Sequence, residues 1–329
     1  MKKTSVIVLL AVLVVIVLLI GRFNFSEADF SMSNPAWNGM TQFSGNGTVN
    51  YLYAISDLSG VGENNTVLIV GPTLNYTPEE SAQARMFAER GGTIIVMDDF
   101  GTSNTLLNYM ESPITLHQAP VCDYENYYKR PSFPVIVDIK NTSVTTGVSS
   151  LVLNHPASLN ISGNAIILAN TSRLSWVDEN ANILIDGNEN FNASPIIARA
   201  KYGKGEVIVV SDPDVIVNVM VDQGENSVFA SNIMKKGTVY LDISHGQKIP
   251  PLESIFFILK NDLVAQLLCS LLIMLTGYVV YRRASIKKAI LGPEPEMQEP
   301  ASKKRSIVDF IKAKLPAKES DIKELDKKL

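Results

Sequence analysis

The sequence lacks the short motifs of several enzyme classes. It has no GxxxxGK[ST] phosphate-binding loop, no GxSxG nucleophile turn, no HExxH and no CxxC. These absences exclude the P-loop nucleotide hydrolases, the usual α/β-hydrolases and the commonest zinc sites. Only two cysteines occur among the 329 residues, Cys122 and Cys269. Because Cys269 lies in a separate apolar run, the sequence predicts no intrachain disulfide framework.

Basic residues are scarce in the middle of the chain. Between Arg22 and Asp262 there are 14 basic and 25 acidic residues, a net charge of −11, whereas the chain from Arg282 onward has a net charge of +5. Nucleic-acid binding requires a surplus of lysine and arginine for the phosphates, so we exclude a nucleic-acid partner for the acidic segment. The basic C-terminal segment suits an anionic membrane leaflet.

Long uncharged runs occur twice, at residues 4–21 and 263–281. Each has about the 17–25 residues that a membrane-spanning helix needs. Lys2-Lys3 precedes the first run and Arg282-Arg283 follows the second. This charge distribution predicts a two-span cell-membrane protein with both termini in the cytoplasm. The first run ends without a small-x-small cleavage site, which favours an uncleaved anchor over a signal peptide.

The two runs divide the chain into four predicted regions, with the lipid bilayer as a partner. These are an anchor at 1–21, an extracytoplasmic domain at 22–262, a second span at 263–281 and a cytoplasmic tail at 282–329. Within the tail, residues 302–315 mix apolar and basic residues. This pattern predicts either an amphipathic helix on the inner leaflet or a solvated charged segment.

Candidate glycosylation sites lie only between the two apolar runs. Asn-x-Ser/Thr sequons without an internal proline begin at Asn24, Asn46, Asn64, Asn75, Asn141, Asn160, Asn170 and Asn192. An asparagine-rich region produces some sequons by chance. Their restriction to one side nevertheless agrees with the predicted topology, since glycosylation acceptors belong to extracytoplasmic surfaces.

One stretch of the chain has the pattern of a complete βαβ unit. Val67–Val70 is a short β-branched run typical of a buried strand. Thr77 is followed by proline and, at the third position, by Glu80, which predicts a helix N-terminus with a capping box. Gly91 predicts the end of that helix. Thr93–Met97 is a second buried strand, at a distance that suits parallel pairing.

The later chain adds strands and a helix to this unit. Ile196–Tyr202 and Glu206–Val210 flank a Gly-Lys-Gly loop, which predicts an antiparallel hairpin. Ile183–Ile185 is predicted to be a short strand, Asn226–Lys235 a helix and Thr238–Ile243 a final strand. Together these elements predict an α/β domain.

Acidic side chains are concentrated where the predicted strands end. Ligands of α/β sheets bind at the carboxyl ends of the strands, so this edge is the predicted ligand site. Paired carboxylates there could hold Mg²⁺ or Ca²⁺ or polarise a water, although aspartate also caps turns and helices. No particular metal or cofactor is predicted. The candidate ligand-binding residues are Asp98, Asp99, Asp212, Asp214, Asn218, Asp242 and His245.

Several segments as a set resemble one known family, the membrane-anchored family catalogued as domain of unknown function 4350. The segments are NPAWNGMTQF, GPTLNYTPEESAQARMFAERGGTIIVMDDFG, YGKGEVIVVSDPDVIVN, FASNIM and DISH, within about residues 34–246. The resemblance implies a flavodoxin-like, class I glutamine-amidotransferase-like α/β sandwich, here flanked by two transmembrane helices. It also implies a cytoplasmic MoxR-type AAA ATPase complex and other membrane proteins as partners.

The resemblance implies the fold rather than the glutaminase reaction. An amidotransferase carries a nucleophilic cysteine at a strand-to-helix turn. The corresponding turn here, Asp98–Thr102, contains no cysteine, and Cys122 lies in an irregular stretch. A fold of this class can carry other functions.

Three functions are consistent with these observations. The first is a non-enzymatic binding or assembly module, which the missing nucleophile favours. The second is a metal-assisted hydrolase that uses the strand-end aspartates and His245. The third is an envelope glycan-binding domain, for which Trp37, Trp176 and Tyr124–Tyr128 are the aromatic candidates.

Overall fold

The computed structural model of this chain describes residues 12–15, 28–45, 47–246 and 263–291. The chain divides into two compact units, Ile20–Asp262 and Met1–Leu19 together with Leu263–Leu329. The predicted segment 302–315 and the sequons at Asn24 and Asn46 lie outside the described residues, as does most of the predicted anchor.

Strands and helices are numbered here in chain order. The strands are β1 (Val49–Leu52), β2 (Thr66–Val70), β3 (Thr93–Met97), β4 (Ile114–Asp123), β5 (Val135–Ile136), β6 (Asp138–Ile139), β7 (Leu151–Val152), β8 (Ala157–Ile161), β9 (Ile166–Asn170), β10 (Ser175–Val177), β11 (Pro195–Tyr202), β12 (Gly205–Val210) and β13 (Val239–Asp242). The helices are α1 (Thr41–Ser44), α2 (Pro78–Arg90), α3 (Ser103–Tyr109), α4 (Asn226–Met234) and α5 (Leu263–Leu291), with 3₁₀ turns at Ile55–Gly60 and Asp214–Ile216.

The large unit is built on a mixed eight-stranded sheet in the order β1-β13-β2-β3-β12-β11-β9-β6. The first five of these strands pair in parallel. The last three join antiparallel, starting with the β11–β12 hairpin. A smaller antiparallel sheet contains β10, β4 and β8, and β5 pairs with β7.

The predicted βαβ unit is confirmed. Thr77 caps α2, and its hydroxyl accepts the Glu80 N–H while the Glu80 carboxylate accepts the Thr77 N–H, so the capping box is complete. Gly91 ends the helix with φ of 130°, a conformation that suits glycine. Strands β2 and β3 on either side pair in parallel register, with Val67 opposite Ile94.

Both faces of the parallel strands are buried, which explains their continuous apolar sequences. Within β2, Leu68 packs in one hydrophobic core and Ile69 in the other. Phe229 of α4 belongs to the first core, and Phe87 of α2 belongs to the second. Helices therefore cover both faces of the sheet.

The fold is a mixed α/β domain, and the finer prediction of a flavodoxin-like, class I glutamine-amidotransferase-like sandwich is wrong. A flavodoxin-like sheet is doubly wound from parallel strands. Here the tight β11–β12 turn reverses the chain, and β11, β9 and β6 continue the sheet with antiparallel pairing. Ile183–Ile185 forms no strand and lies in an irregular loop between β10 and β11.

The prediction of two transmembrane helices is also wrong, and with it the two-span membrane localisation. Helix α5 contains the second predicted span, residues 263–281. Among the described residues, none of the helices combines the length and the apolar character that crossing a bilayer requires.

Candidate functional site

A cleft of about 460 Å³ lies at the carboxyl edge of the parallel strands. The loops after β2, β3 and β12 form its walls together with the segment that precedes α1. Its volume is in the range of small-molecule sites. Asp98 and Asp99 after β3 and Asp214 after β12 therefore share one cleft. Its acidic and aromatic lining residues are Asp29, Phe30, Trp37, Asp98, Asp99, Phe100 and Asp214.

Asp98 lines the cleft and also holds the β3–α3 loop in shape. Its fully buried carboxylate accepts the N–H groups of Asp99, Gly101 and Ser103, each at 3.0 Å, and the Ser103 hydroxyl at 2.5 Å. Burial raises the pKa of Asp98, and these hydrogen bonds oppose the rise. The Asp98 oxygens are thus occupied by the loop itself.

Asp99 and Asp214 bring carboxylates to the cleft from two neighbouring strand ends. Burial raises the pKa of Asp99 to about 7, and the negative charges of Asp98 and Asp214 contribute to the rise. Burial raises the pKa of Asp214 to about 6, opposed by a hydrogen bond from the Asn154 amide at 2.5 Å and increased by the charge of Asp29. Negative charge in this cleft is therefore energetically unfavourable near neutral pH.

Asp212 lies beneath the cleft and holds two residues of its wall, Asn154 and Asp214, in position. The fully buried carboxylate accepts the N–H groups of Asn154 and Asp214, each at 2.7 Å. Burial and the charge of Asp214 raise the pKa of Asp212 well above its ordinary value. Asp212 therefore positions two cleft residues without lining the cleft. The role of Asn154 was missed from the sequence, because it lies in an irregular stretch far from Asp214 along the chain.

The amide and carbonyl groups of the Asn218 side chain form all their hydrogen bonds within the protein. Its amide donates to the main-chain oxygens of Asn34 at 3.0 Å and Ala36 at 2.6 Å. Its carbonyl oxygen accepts the Gln42 N–H at 3.0 Å and the hydroxyl of the preceding threonine at 3.1 Å. These four hydrogen bonds fasten the segment around Trp37 to the chain that follows β12.

Aromatic rings complete the cleft wall. Trp37 is 67% exposed and Phe100 is 45% exposed, which is unusual for such large side chains. Phe30 covers Gly71, where an added Cβ would lie 2.4 Å from the Phe30 ring and where φ is +49°. Trp176, the other tryptophan singled out from the sequence, is fully buried. Of the two tryptophans, Trp37 alone lines the cleft.

Asp242 and His245 form a neighbouring cluster outside this cleft. Asp242 accepts the Tyr76 hydroxyl at 2.9 Å and lies 3.0 Å from His245 Nδ1. His245 Nε2 lies 3.4 Å from a Glu80 carboxylate oxygen, and the imidazole stacks on the Tyr76 ring with centroids 3.7 Å apart. The main-chain oxygen of His245 accepts the Thr73 N–H at 2.8 Å, which ties this cluster to the loop after β2.

The cluster stabilises a cationic imidazole. Burial lowers the pKa of His245, but the hydrogen bond and charge of Asp242 and the charge of Glu80 outweigh burial, so the pKa is raised. Burial likewise raises the pKa of Asp242, but the hydrogen bonds from His245 and Ser244 outweigh it and lower the value. The cationic His245 therefore links Asp242 at the end of β13 to Glu80 at the start of α2.

The described residues contain no group of three or more His, Cys, Asp or Glu side chains arranged to hold a metal ion. The cleft carboxylates are divided between loop capping and the cleft surface. Within the described ranges, no such cluster of metal ligands supports metal-assisted hydrolysis.

The sequon asparagines are mostly accessible. Asn170 is half-buried, and its amide donates to Asp138 at 3.0 Å. Glycosylation of the sequons stays a prediction. The exposed sequon asparagines in the described part of the chain are Asn64, Asn75, Asn141, Asn160 and Asn192.

Comparison with solved structures gives distant likenesses. The N-terminal domain of mmIFT52 is 21% identical, with a TM-score of 0.43, over 57% of this chain and 84% of that chain. Cytoplasmic protein STM1381 from Salmonella typhimurium LT2 is 11% identical, with a TM-score of 0.34, over 59% of this chain and 78% of that chain. β-Galactosidase from Bacillus circulans sp. alkalophilus is 14% identical, with a TM-score of 0.29, over 50% of this chain and 22% of that chain.

No curated protein matches the sequence. The model of the family described as "Domain of unknown function (DUF4350)" matches residues 42–234, more than half of the chain. The chain therefore belongs to the DUF4350 family.

Proposed function

We propose that this protein is a non-enzymatic binding module whose cleft takes a positively charged side chain of a partner, arginine foremost. The observation that carries the proposal is the composition of the cleft wall. Asp29, Asp99 and Asp214 line it together with aromatic rings, and no lysine, arginine or histidine is among its described lining residues.

Electrostatics favour a cationic ligand. The raised pKa values of Asp99, about 7, and Asp214, about 6, mean that the free cleft resists full ionisation at neutral pH. A bound cation would restore the charged form of both carboxylates, since an opposite charge within about 4–6 Å lowers a carboxyl pKa. Binding would therefore release protons from the cleft.

The aromatic rings favour a guanidinium over a compact ammonium. A guanidinium is planar, pairs with carboxylates through two parallel hydrogen bonds and stacks on aromatic faces. Trp37 presents an accessible indole beside the carboxylates. Cation–π contact with an exposed ring contributes about 0.5–1 kcal/mol, and tryptophan is the best of the aromatic partners.

Fluorescence tests this proposal in the full-length chain. The indole of Trp37 is exposed and that of Trp176 is buried, so a ligand in the cleft changes the emission of Trp37 selectively. We expect N-acetylarginine amide to bind with a Kd of about 1 mM, equivalent to about −4 kcal/mol. N-acetylcitrulline amide, which has a similar shape without the charge, is the ligand control.

The variants Asp99→Asn and Asp214→Asn should each weaken binding about tenfold, because each removes one carboxylate from the ligand. Asp222→Asn, at an exposed position away from the cleft lining, is the matched control. Equal binding of the arginine and citrulline compounds would show that charge does not drive recognition and would overturn the proposal.

A second candidate function is acid–base hydrolysis by the same carboxylates. Catalytic acids and bases need pKa values near the working pH, and those of Asp99 and Asp214 meet this requirement. An activity screen with model glycosides, esters and amides tests it. Turnover that is lost in Asp99→Asn would support hydrolysis. Absence of turnover on all three substrate classes would refute hydrolysis and favour the binding module.

Two predictions from the family resemblance and the aromatic residues have direct tests. Association with a MoxR-type ATPase predicts that the two proteins co-purify.

Envelope glycan binding would use Trp37, so it predicts that the Trp37→Ala variant loses retention on envelope polysaccharide while the Asp214→Asn variant keeps it.

A further inference from the structure

A hydrogen-bond relay leads from the loop after β4 to the wall of the cleft. Arg130 Nη2 lies 3.4 Å from His155 Nε2, and His155 Nδ1 lies 2.8 Å from Asn154 Oδ1. The Asn154 side-chain amide donates in turn to an Asp214 carboxylate oxygen at 2.5 Å. Asn154 and Asp214 line the cleft, whereas Arg130 and His155 lie behind them. We propose that His155 is a positioning residue of this site, because it fixes the Asn154 amide and so keeps a hydrogen-bond donor on the Asp214 carboxylate.

The protonation of the imidazole follows from its two partners. A guanidinium carries only hydrogen-bond donors, so the Nε2 atom that faces Arg130 is an acceptor and has no proton. In the neutral ring the proton is therefore on Nδ1, which donates to Asn154 Oδ1. Burial, and then the positive charge of Arg130, lower the pKa of His155, so the ring is neutral at neutral pH.

This tautomer decides which way the Asn154 amide points. With its oxygen toward the Nδ1–H of His155, the amide presents its NH₂ group to Asp214. The reversed amide would place NH₂ against Nδ1–H and a carbonyl oxygen against the Asp214 carboxylate, and both contacts would be repulsive. Only a protonated Asp214 could donate to the reversed amide. Arg130 therefore favours the charged form of Asp214 through His155 and Asn154.

The backbone holds the two middle residues of the relay in place. The Asn154 N–H donates to the Asp212 carboxylate at 2.7 Å, and the His155 N–H donates to the main-chain oxygen of Ser132 at 2.9 Å. The imidazole also contacts the Phe133 ring edge to face, with centroids 5.1 Å apart. These contacts fix the half-buried imidazole beside the Asn154 amide.

Asp214 depends on this donor because the charged groups that act on it are acidic. Burial raises the pKa of Asp214 to about 6, the hydrogen bond from Asn154 opposes the rise and the charge of Asp29 adds to it. Asp99 and Asp212 are the other acidic groups that interact with Asp214. Without the donor, the pKa of Asp214 should rise by about one further unit. The inference rests on the proposed function, since Asp214 is one of the carboxylates that would take the cation.

Two substitutions of His155 separate the hydrogen bond from the packing. Leucine and asparagine have nearly the same size, but asparagine carries an amide near the place of Nδ1 and leucine carries no donor. His155 has φ of +52°, a conformation that asparagine adopts more readily than most residues. We therefore expect His155→Leu to break the relay and His155→Asn to restore it.

A second pair of variants changes the outer end of the relay. Arg130→Met, at an exposed position, removes the charge that selects the tautomer of His155. Arg173→Met, at another exposed arginine outside the cleft lining, is the matched control. Arg130→Met should act in the same direction as His155→Leu but less strongly, and Arg173→Met should have no effect.

Urea unfolding tests the inference without a ligand. Because the folded pKa of Asp214 is raised above its ordinary 3.8, its charge lowers stability increasingly as the pH rises from about 4. Asp214→Asn removes this cost, so its stabilising effect at pH 8 relative to pH 4 reports the pKa of Asp214. This pH-dependent gain should be larger in the His155→Leu background, by the equivalent of about one pKa unit, and unchanged in the His155→Asn background. An equal gain in the His155→Leu and unmodified backgrounds would overturn the inference.

Binding of N-acetylarginine amide, followed by Trp37 emission, tests the consequence for the cleft. If the pKa of Asp214 rises from about 6 to about 7 in His155→Leu, the Kd should rise about threefold at pH 6.5 and hardly at all at pH 8.5. His155→Asn should bind like the unmodified chain. Equal weakening of binding at both pH values would indicate a merely structural role and would overturn the inference. Absence of arginine binding in the unmodified chain would instead refute the proposed function, and the urea measurements would still decide the role of His155.

Discussion

Replacing Asp99 by asparagine should stabilise the protein above neutral pH. Asp99 has an ordinary pKa of 3.8 when exposed and a pKa of about 7 in the folded protein. A carboxyl with a raised folded pKa binds more protons when folded, so it lowers stability progressively as the pH rises from about 4 to about 7. Asparagine keeps the shape of the side chain and removes this cost.

The size of the effect follows from the shift. Raising the pKa from 3.8 to about 7 is roughly three pKa units, or about 4 kcal/mol at 1.36 kcal/mol per unit. Asp99 is partly accessible to solvent, so screening reduces the expected gain to about 2 kcal/mol at pH 8. At pH 4 the carboxyl is protonated in the folded state, and the gain should vanish.

Urea unfolding at pH 4, 6 and 8 measures this gain. The free energy of unfolding of Asp99→Asn should exceed that of the unmodified chain increasingly with pH. Asp222→Asn, which changes an exposed aspartate, should show no such trend. A constant difference at all three pH values, or destabilisation at pH 8, would refute the reasoning that cleft burial places Asp99 under electrostatic strain.

Three further predictions concern the residues that shape the cleft and the neighbouring Asp242–His245 cluster. Asn218→Ala should lower the free energy of unfolding by about 2–4 kcal/mol in urea, because it breaks four hydrogen bonds, and should also weaken ligand binding. Gly71→Ala should displace Phe30 and alter the Trp37 emission of the free protein, whereas Gly60→Ala, at an open position, should not. His245→Gln should cost most stability below about pH 6.5 and progressively less as the pH rises through the raised pKa of His245, as urea unfolding across that range would show.

Local sequence signals predicted the elements around the cleft well. The capping box at Thr77 and the glycine at Gly91 are short-range features, so they define α2 without knowledge of the fold. The β-branched runs of β2 and β3 predicted buried parallel strands for the same reason. Ligands of α/β sheets bind at the carboxyl ends of the strands, and this rule correctly predicted that Asp99 and Asp214 lie in one region.

Long-range contacts could not be predicted in this way. Asn154 and Asp29 join Asp214 through tertiary structure, and neither lies at a strand end. Asp98 and Asp212 resemble ligands in the sequence, but burial directs their oxygens to main-chain N–H groups.

Apolar composition was also misleading where turn geometry determines the course of the backbone. Ile183–Ile185 has the apolar composition of a strand, but the positive φ of Ile183 turns the chain into a loop. The sheet order was likewise beyond local signals. Composition does not reveal that β9 and β6 join the hairpin antiparallel, and the flavodoxin-like fold that the family resemblance implied has no such pairing.

Proton release on ligand binding tests the central claim most directly. Calorimetric titration of N-acetylarginine amide in two buffers of different ionisation enthalpy counts the protons that leave the cleft. With pKa values of about 7 for Asp99 and about 6 for Asp214, we predict release of about one proton at pH 6.5 and almost none at pH 8.5. Binding without proton release at pH 6.5, or with proton uptake, would contradict the account of a cleft whose buried carboxylates take a cation.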